Sequence, residues 1–208
     1  MSARLSFSHR YEPATEPERP PLLLLHGTGG DEHDLVPLGR MIAPGAALLS
    51  PRGKVLEGGM QRFFHRLAEG VFDEDDVRRR AHELADFVEE ARETYGLAAP
   101  VAVGFSNGAN IAVALLLLRP GTLAGAALLR AMVPLQRPLA ADLTGTPVLI
   151  LSGEADPIVP AANAARLASM LTGVGANVRH EPLPSGHGLA QADFEMVKTW
   201  VEAASRRN

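Results

Sequence analysis

The stretch Val101-Ala102-Val103-Gly104-Phe105-Ser106-Asn107-Gly108-Ala109 decides the fold. Its first five residues form an apolar run typical of a buried strand, and residues 109–119 predict a helix that Pro120 ends. The central Gly-x-Ser-x-Gly pattern arises easily by chance in a chain with 20 glycines, but at a strand-to-helix junction it indicates a tight turn. Ser106 then projects from the turn, because larger side chains in place of the two glycines would collide with neighbouring backbone.

Strand-like and helix-like patterns alternate along the rest of the chain. Helical spacing of apolar residues predicts helices over 73–95, 160–171 and 193–204. Alternation of strands and helices is typical of a mainly parallel sheet covered by helices on both faces. We therefore predict one α/β domain over residues 1–208. The other predicted strands are Leu5–Tyr11, Leu22–Leu25, Ala46–Leu49, Leu123–Leu129, Val148–Leu151 and Asn177–Glu181.

Composition excludes several classes of protein. The 208 residues carry a net charge of −4 and no cysteine, which argues against nucleic acid as a partner and removes disulfides, thiolate metal ligands and thiol nucleophiles. The first ten residues lack the apolar core of a signal peptide, and no apolar run is long enough to span a membrane. We expect a soluble cytoplasmic protein without stable membrane insertion, and leave a homodimer open.

A serine hydroxyl needs a general base to act as a nucleophile, and histidine is the usual base because it titrates near neutral pH. Of the seven histidines, only His187 lies in a glycine-flanked loop, Ser185–Gly188, just beyond the last predicted strand. The carboxyl ends of parallel strands are where α/β folds present functional side chains. The sequence therefore predicts His187 as the base for Ser106.

An acidic side chain has to orient that base. Asp156 follows the predicted strand 148–151, and Pro157 fixes the turn directly after it. We prefer Asp156 to Glu154, which remains the alternative. The chain order Ser106, Asp156, His187 is that of α/β-hydrolases and differs from the order in the two common serine-protease folds. We therefore predict an α/β-hydrolase fold.

Acyl transfer also needs hydrogen-bond donors for the oxygen that becomes negative in the tetrahedral intermediate. One candidate is the backbone N–H of Asn107, directly after the nucleophile. The second is the backbone N–H of Thr28, in the glycine-rich loop that follows the strand Leu22–Leu25. A phosphate-binding loop is the alternative, but the lysine and spacing of a P-loop and the spacing of a dinucleotide fingerprint are absent from this segment.

These motifs resemble those of the phospholipase/carboxylesterase family, which is related to acyl-protein thioesterases and includes compact bacterial carboxylesterases. The resemblance extends from about residue 22 to residue 200. The thioesterase branch usually has Gln-Gly-Gly after the nucleophile, whereas Asn107, Gly108 and Ala109 are closer to the small bacterial esterases. The segments that carry the resemblance are His26–Asp31, Ser50–Gly53, Gly104–Gly108, Gly153–Pro157 and Gly186–Gly188.

The resemblance implies that segments 59–64 and 132–134 border an acyl pocket. Met60, Phe63, Phe64 and Met132 are then candidate substrate-binding residues, although two adjacent phenylalanines fit a hydrophobic core equally well. Arg52 and Arg62 are candidates for binding an anionic group of the substrate, and we prefer a structural salt bridge for both.

The chain is thus predicted to be a serine carboxylesterase that hydrolyses short and medium acyl esters through an acyl-enzyme, without cofactor or metal ion. A thioesterase or lysophospholipase with the same triad is the alternative among enzymes. A non-catalytic ligand-binding protein on the same frame is the alternative outside them. The interval between the strands that end at Leu129 and begin at Val148 is too short for a folded cap, so we expect an open cleft.

Overall fold

The computed structural model describes residues 5–137 and 140–205, without the side chain of Ser205. The extent of the domain, 1–208, stays a prediction. Their helices are α1 (Val36–Ile42), α2 (Glu74–Tyr95), α3 (Asn107–Leu118), α4 (Ala161–Gly173) and α5 (Gln191–Ser205). Their strands are β1 (His9–Glu12), β2 (Leu22–Leu25), β3 (Leu48–Pro51), β4 (Val55–Glu57), β5 (Met60–Arg62), β6 (Arg66–Ala68), β7 (Val71–Phe72), β8 (Val101–Phe105), β9 (Gly125–Leu129), β10 (Pro147–Gly153) and β11 (Asn177–Leu183).

Seven strands form one sheet in the order β1-β3-β2-β8-β9-β10-β11. β1 runs antiparallel to β3, and every other neighbouring pair is parallel. β8, which precedes Ser106, is the fourth of the seven, so the turn after it lies at the middle of the carboxyl edge of the sheet. The predicted mainly parallel sheet is confirmed.

Helices cover both faces of this sheet. Leu23 and Leu25 of β2 pack into a cluster with apolar residues of α2, α3 and α4. Leu22 and Leu24 pack on the opposite face with residues of α1 and α5. All four leucines have no exposed surface. A strand buried on both faces has no polar side to display, which explains its unbroken apolar run.

The long helix α2 agrees with its predicted ends. Asp73 caps its first turn by accepting a hydrogen bond from the N–H of Asp76 at 3.1 Å. Gly96 closes it with a φ of 67°, in the left-handed region that glycine adopts without strain. These two residues stop the helix at both ends, as the acidic start and the terminal glycine of the pattern predict.

The predicted strand Leu5–Tyr11 begins too early. The observed strand starts at His9, and the chain bends before it. Phe7 is not part of the strand, because its ring is buried against Phe87 of α2, with the ring centroids 5.0 Å apart. Burial of one large aromatic side chain outweighs continued pairing at the edge of the sheet.

Between β3 and α2, residues 55–72 form two short antiparallel hairpins, β4–β5 and β6–β7, which the sequence patterns do not predict. Residues 131–137 and 140–146, between β9 and β10, contain no helix or strand. The predicted lack of a folded cap in that interval therefore agrees with the compact architecture. The two hairpins lie beside the carboxyl edge of the sheet, where Met60 and Phe72 border the same cavity as Ser106.

The start of α3 packs directly on the end of β2 through Gly108. A Cβ atom at Gly108 would lie 2.0 Å from the carbonyl oxygen of Leu25 and 2.5 Å from that of His26. Gly104 is similarly tight, since its Cβ would lie 2.7 Å from the amide nitrogen of Ala109. Both glycines of the turn are therefore required by close approach of backbone to backbone.

We expect Gly108→Ala to lower the free energy of unfolding by about 2 kcal/mol or more, because backbone atoms cannot move aside as a side chain can. Gly173→Ala is the matched control, since nothing lies within 4 Å of a Cβ at that position in α4. Its effect should stay within about 0.5 kcal/mol. Urea unfolding measures both variants, and equal losses would show that the close packing at Gly108 is unimportant.

Candidate active site

Ser106 occupies the strained turn between β8 and α3. Its φ is 51° and its ψ is −111°, a conformation that non-glycine residues rarely adopt. Two backbone hydrogen bonds hold it there: its N–H donates to the Leu129 carbonyl of the neighbouring strand, and its carbonyl accepts from Asn110, both at 2.9 Å. The surrounding sheet and helix thus maintain the turn that the sequence predicts.

The structure brings Ser106, His187 and Asp156 into one hydrogen-bonded chain. His187 Nε2 lies 3.0 Å from Ser106 Oγ, and His187 Nδ1 lies 2.8 Å from Asp156 Oδ2. Asp156 follows β10 and His187 follows β11, so both reach Ser106 across the carboxyl edge of the sheet. An ionised carboxylate only accepts hydrogen bonds, so Nδ1 donates to Asp156 and Nε2 is left to accept from the serine hydroxyl.

Asp156 is held in its ionised form. Burial of the carboxyl group by itself raises its pKa, but hydrogen bonds from the amides of Val159 and Ile158 and from His187 outweigh burial and hold the pKa below its ordinary value. The two amides donate to Oδ1 at 3.0 and 2.8 Å. The carboxylate is therefore anchored on one oxygen and free to orient His187 with the other.

The glycine-rich loop after β2 faces the start of α3. His26, at its base, is buried and donates from Nδ1 to the Gly27 carbonyl at 2.7 Å, while Nε2 accepts from the Gly53 amide at 3.0 Å. Burial lowers the pKa of His26, which favours this neutral form. In the described part of the chain, the backbone N–H groups of Thr28 and Asn107 donate no hydrogen bond. Both residues border the cavity at Ser106.

That cavity has a volume of about 290 Å³. Ser106 and His187 contribute to its floor, and Met60 and Met132 contribute apolar walls. Met60 and Met132, the predicted substrate-binding residues, thus both border the cavity, and their contact with substrate stays a prediction. Arg62 also borders this space.

The prediction that Phe63 and Phe64 line the pocket is wrong. Their side chains are only 2% and 0% exposed, and neither borders the cavity. Phe63 packs against the ring of His26 with centroids 4.7 Å apart, and Phe64 packs against Phe72 at 5.1 Å. Two large rings at the base of the hairpins lose more water-exposed surface by joining the core than by facing an open cleft.

Two further sequence candidates lie away from the hydrogen-bonded chain. Glu154 is exposed and does not contact His187, so the structure favours Asp156 as the orienting acid. Arg52 pairs with Glu32 through two of its guanidinium nitrogens, Nε and Nη2, the second at 2.6 Å, and does not border the cavity. This is the structural salt bridge predicted for Arg52.

Sequence reasoning missed the ion pair that holds the His187 loop. Arg130 and Asp193 are completely buried, and two hydrogen bonds of 2.8 Å join them. Arg130 also donates to the Gly186 carbonyl at 2.9 Å and to the Gly188 carbonyl at 3.3 Å, on either side of His187. Its own φ of 57° turns the chain at the end of β9 so that the side chain reaches this loop.

No local signal identifies this pair. Arg130 and Asp193 are 63 residues apart. Arg130 directly follows β9, all of whose residues are apolar. A buried bidentate pair is stable only when the remaining donors and acceptors are satisfied, and here the loop carbonyls satisfy them. The pair therefore fixes the loop backbone that carries the base.

Several known proteins are similar to this chain in both sequence and fold. The phospholipase/carboxylesterase family profile matches residues 9–205. The Bacillus subtilis protein MhqD is 46% identical over 198 residues, which cover 94% of this chain and 98% of MhqD. A Bacillus cereus carboxylesterase structure is 41% identical, with a TM-score of 0.94 over 98% of this chain and 97% of its own. A Mesorhizobium loti carboxylesterase structure is 37% identical, with a TM-score of 0.91 over 96% of both chains.

The fold and site define an α/β-hydrolase. The chain belongs to the phospholipase/carboxylesterase family, and is similar to bacterial carboxylesterases over nearly its whole length. Among the residues that the structure describes, no three His, Asp or Glu side chains are grouped as a metal site would need. No helix within 5–137 and 140–205 has the length and hydropathy to cross a bilayer.

Substitution of Arg130 tests whether the pair positions His187. We expect Arg130→Met to lower the free energy of unfolding by about 3–5 kcal/mol, because it leaves the Asp193 carboxylate buried and unpaired. Arg130→Lys should fold better but lower kcat at least tenfold with little change in KM, because one ammonium group cannot hold the carbonyls of both Gly186 and Gly188.

The control is Arg119→Met, which removes surface hydrogen bonds to Asp86 and Glu89 and leaves the site untouched. Urea unfolding and steady-state kinetics, measured at a temperature where each variant is folded, separate the two effects. A folded Arg130→Lys variant with unchanged kcat would show that the pair serves stability alone.

Proposed function

We propose that this chain is a serine carboxylesterase that hydrolyses esters of short and medium acyl chains through an acyl-enzyme. The observation that carries the proposal is the hydrogen-bonded chain Ser106–His187–Asp156, with heavy-atom distances of 3.0 and 2.8 Å, at a cavity also bordered by Thr28 and Asn107. Membership of the phospholipase/carboxylesterase family supports it.

In the first half of the reaction, Ser106 Oγ attacks the ester carbonyl carbon and its proton passes to His187 Nε2. Asp156 stabilises the imidazolium that forms, without taking its proton. The carbonyl oxygen becomes negative and accepts hydrogen bonds from the free amides of Thr28 and Asn107. The positive end of α3, whose first residue is Asn107, favours the same charge.

The intermediate then collapses. The bond between the carbonyl carbon and the alcohol oxygen breaks, and His187 gives its proton to the leaving alcohol. A water molecule repeats the attack on the acyl-enzyme, with His187 again as base, and releases the acid and free Ser106. All proton transfers pass through one nitrogen atom, which is why the loop that holds the imidazole matters for rate.

The triad assignment is tested by single and double variants. Ser106→Ala and His187→Ala should each lower kcat by roughly 10³-fold or more, and the double variant should be little worse, because the residues act as a unit. A fluorophosphonate probe should label the wild type covalently and leave Ser106→Ala unlabelled. Kinetics on a p-nitrophenyl ester and mass spectrometry measure the two outcomes.

His82→Ala and Ser169→Ala, on the exposed faces of α2 and α4, serve as controls and should keep wild-type activity. Losses that multiply in the double variant would contradict a shared mechanism. Failure of the probe to label a folded wild type would favour a non-catalytic ligand-binding protein.

The acyl preference follows from the walls of the cavity. The residues between β9 and β10 that the structure describes form no cap, and the space beside Ser106 is about 290 Å³, so long chains would extend into water. We expect kcat/KM to be highest for short and medium acyl chains and to show no jump when the substrate forms micelles. Esters of increasing chain length, assayed below and above the micellar concentration, measure this.

An acyl thioester of matched chain length belongs in the same series, because a thioesterase would use the same residues. A higher kcat/KM for the thioester than for the matching ester would identify the chain as a thioesterase and contradict the carboxylesterase proposal. A sharp rise in activity on micelles with long chains preferred would contradict the open cleft and favour a lysophospholipase.

A further inference from the structure

Arg62 is a cation buried in the wall of the active-site cavity. It ends β5, its side chain is 4% exposed, and it borders the same space as Ser106. Burial lowers the pKa of Arg62 from its ordinary value, an effect that the neighbouring Glu57 only partly opposes. Because a guanidinium group stays protonated in proteins, the wall carries a positive charge that protein groups compensate incompletely.

The hydrogen bonds of Arg62 go to neutral partners. Nη1 donates to Thr28 Oγ1 at 2.6 Å and Nε donates to the Phe64 carbonyl at 3.2 Å. The nearest carboxylate is Glu57, at 3.6 Å, and Glu57 is bound more closely by Arg66 at 2.6 Å. Two guanidinium groups therefore share one carboxylate. In the described part of the chain, Nη2 of Arg62 makes no hydrogen bond and is not sealed from solvent.

The other arginines near the site are paired more closely. Arg130 has a bidentate partner in Asp193, and Arg52 has one in Glu32. Arg66, which also borders the cavity, binds Glu57 at 2.6 Å. The salt bridge predicted for Arg62 is present, to the same Glu57, but its length of 3.6 Å leaves Arg62 the least compensated of the four.

A second unpartnered donor lies beside the nucleophile. The side-chain Oδ1 of Asn107 accepts from the Phe63 amide at 2.7 Å, which fixes which end of the side-chain amide is the oxygen. Its Nδ2 is buried and has no hydrogen-bond partner among the described residues. Buried donors are nearly always paired, so this uncompensated N–H adds to the positive potential around Ser106.

We propose, on the premise that the chain is the esterase described above, that its preferred substrates carry a carboxylate near the scissile ester and that Arg62 binds it. Two kinds of ester share this chemistry: a half-ester of a short dicarboxylic acid, and a short acyl ester of a hydroxy acid. A guanidinium group with one free nitrogen, Nη2, can donate a charge-assisted hydrogen bond to a carboxylate. A cavity of about 290 Å³ admits such small molecules.

Among the described residues that border the cavity, Glu69 carries the negative charge that would repel a substrate carboxylate. It borders the cavity mouth from the β6–β7 turn, but it is exposed to water, and in the described residues it has no ion-pair partner. An exposed charge is screened by water and salt, whereas the Arg62 side chain is only 4% exposed and is screened less. Glu69 should therefore weaken carboxylate binding slightly without cancelling it, which makes Glu69→Gln a useful comparison.

The test compares substrates that differ only in charge. Monomethyl glutarate and the same ester with a terminal carboxamide place the group on the acyl side. The butyrate esters of 3-hydroxypropanoate and of 3-hydroxypropanamide place it on the alcohol side. We expect kcat/KM for the carboxylate to exceed that for the amide by about tenfold in at least one pair, and that pair identifies the side on which the carboxylate lies.

The same ratio is then measured within each variant, so that a general loss of activity cancels. Arg62→Met should bring the ratio to about one, Arg62→Lys should keep part of it, and Glu69→Gln should leave it unchanged or raise it. Higher salt should reduce the ratio only weakly, because the cation is buried. If Arg62→Met does not fold, the ratios measured for the wild type, Arg62→Lys and Glu69→Gln still test the proposal.

A ratio near or below one in both wild-type pairs, with all four esters hydrolysed, overturns the carboxylate proposal and leaves the esterase intact. A high ratio that persists in Arg62→Met overturns the role of Arg62. If no ester is hydrolysed, the proposed function fails, and calorimetric titration of Ser106→Ala with monomethyl glutarate and its amide decides the anion site separately. Equal binding of the two compounds there would reject it.

Discussion

The contact between Gly108 and the carbonyl oxygens of Leu25 and His26 is the constraint on which the site depends. With no room for a methyl group, the first turn of α3 lies against the end of β2. The turn that exposes Ser106 and the loop that contains Thr28 therefore face each other as a consequence of backbone packing. Ser106 and Thr28 are far apart in the chain, and this packing keeps their segments together.

Electrostatics constrains the other half of the site. The loop that carries His187 contains glycines on both sides and has no helix or strand of its own to stiffen it. The buried pair of Arg130 and Asp193 supplies that stiffness by binding the carbonyls on either side of the imidazole. Asp156 is anchored differently, by two backbone amides of its own turn. Close packing fixes the position of Ser106, and hydrogen bonds to charged groups fix the position of His187.

The parts that could be predicted from the sequence are those with local causes. β2 and β8 keep their predicted bounds because burial on both faces demands an unbroken apolar run. His187 and Asp156 could be predicted to lie near Ser106 because both are in loops that follow parallel strands. Arg130 was missed because its partner is distant in sequence, and α1 because seven residues containing proline and glycine give too little helical pattern. The hairpins of residues 55–72 have strands of two or three residues, too short to show a period.

The hairpins of residues 55–72 also place Arg62 at the cavity. The residues proposed to react and the residue proposed to bind the substrate carboxylate therefore lie on different segments of the chain. The reacting groups lie on the sheet edge and on α3, where glycine packing and buried hydrogen bonds leave little tolerance. The wall of the cavity is built from short strands. The rings of Phe63 and Phe64 hold them to the core, and the bonds from the Gly29 amide to the Gln61 carbonyl and from the Phe63 amide to Asn107 join them to the site. Residues 55–72 therefore shape the cavity without contributing a residue to the hydrogen-bonded chain of Ser106, His187 and Asp156. A buried charge in such a wall costs desolvation energy, and binding of the proposed carboxylate substrate explains it better than the stability of the fold does.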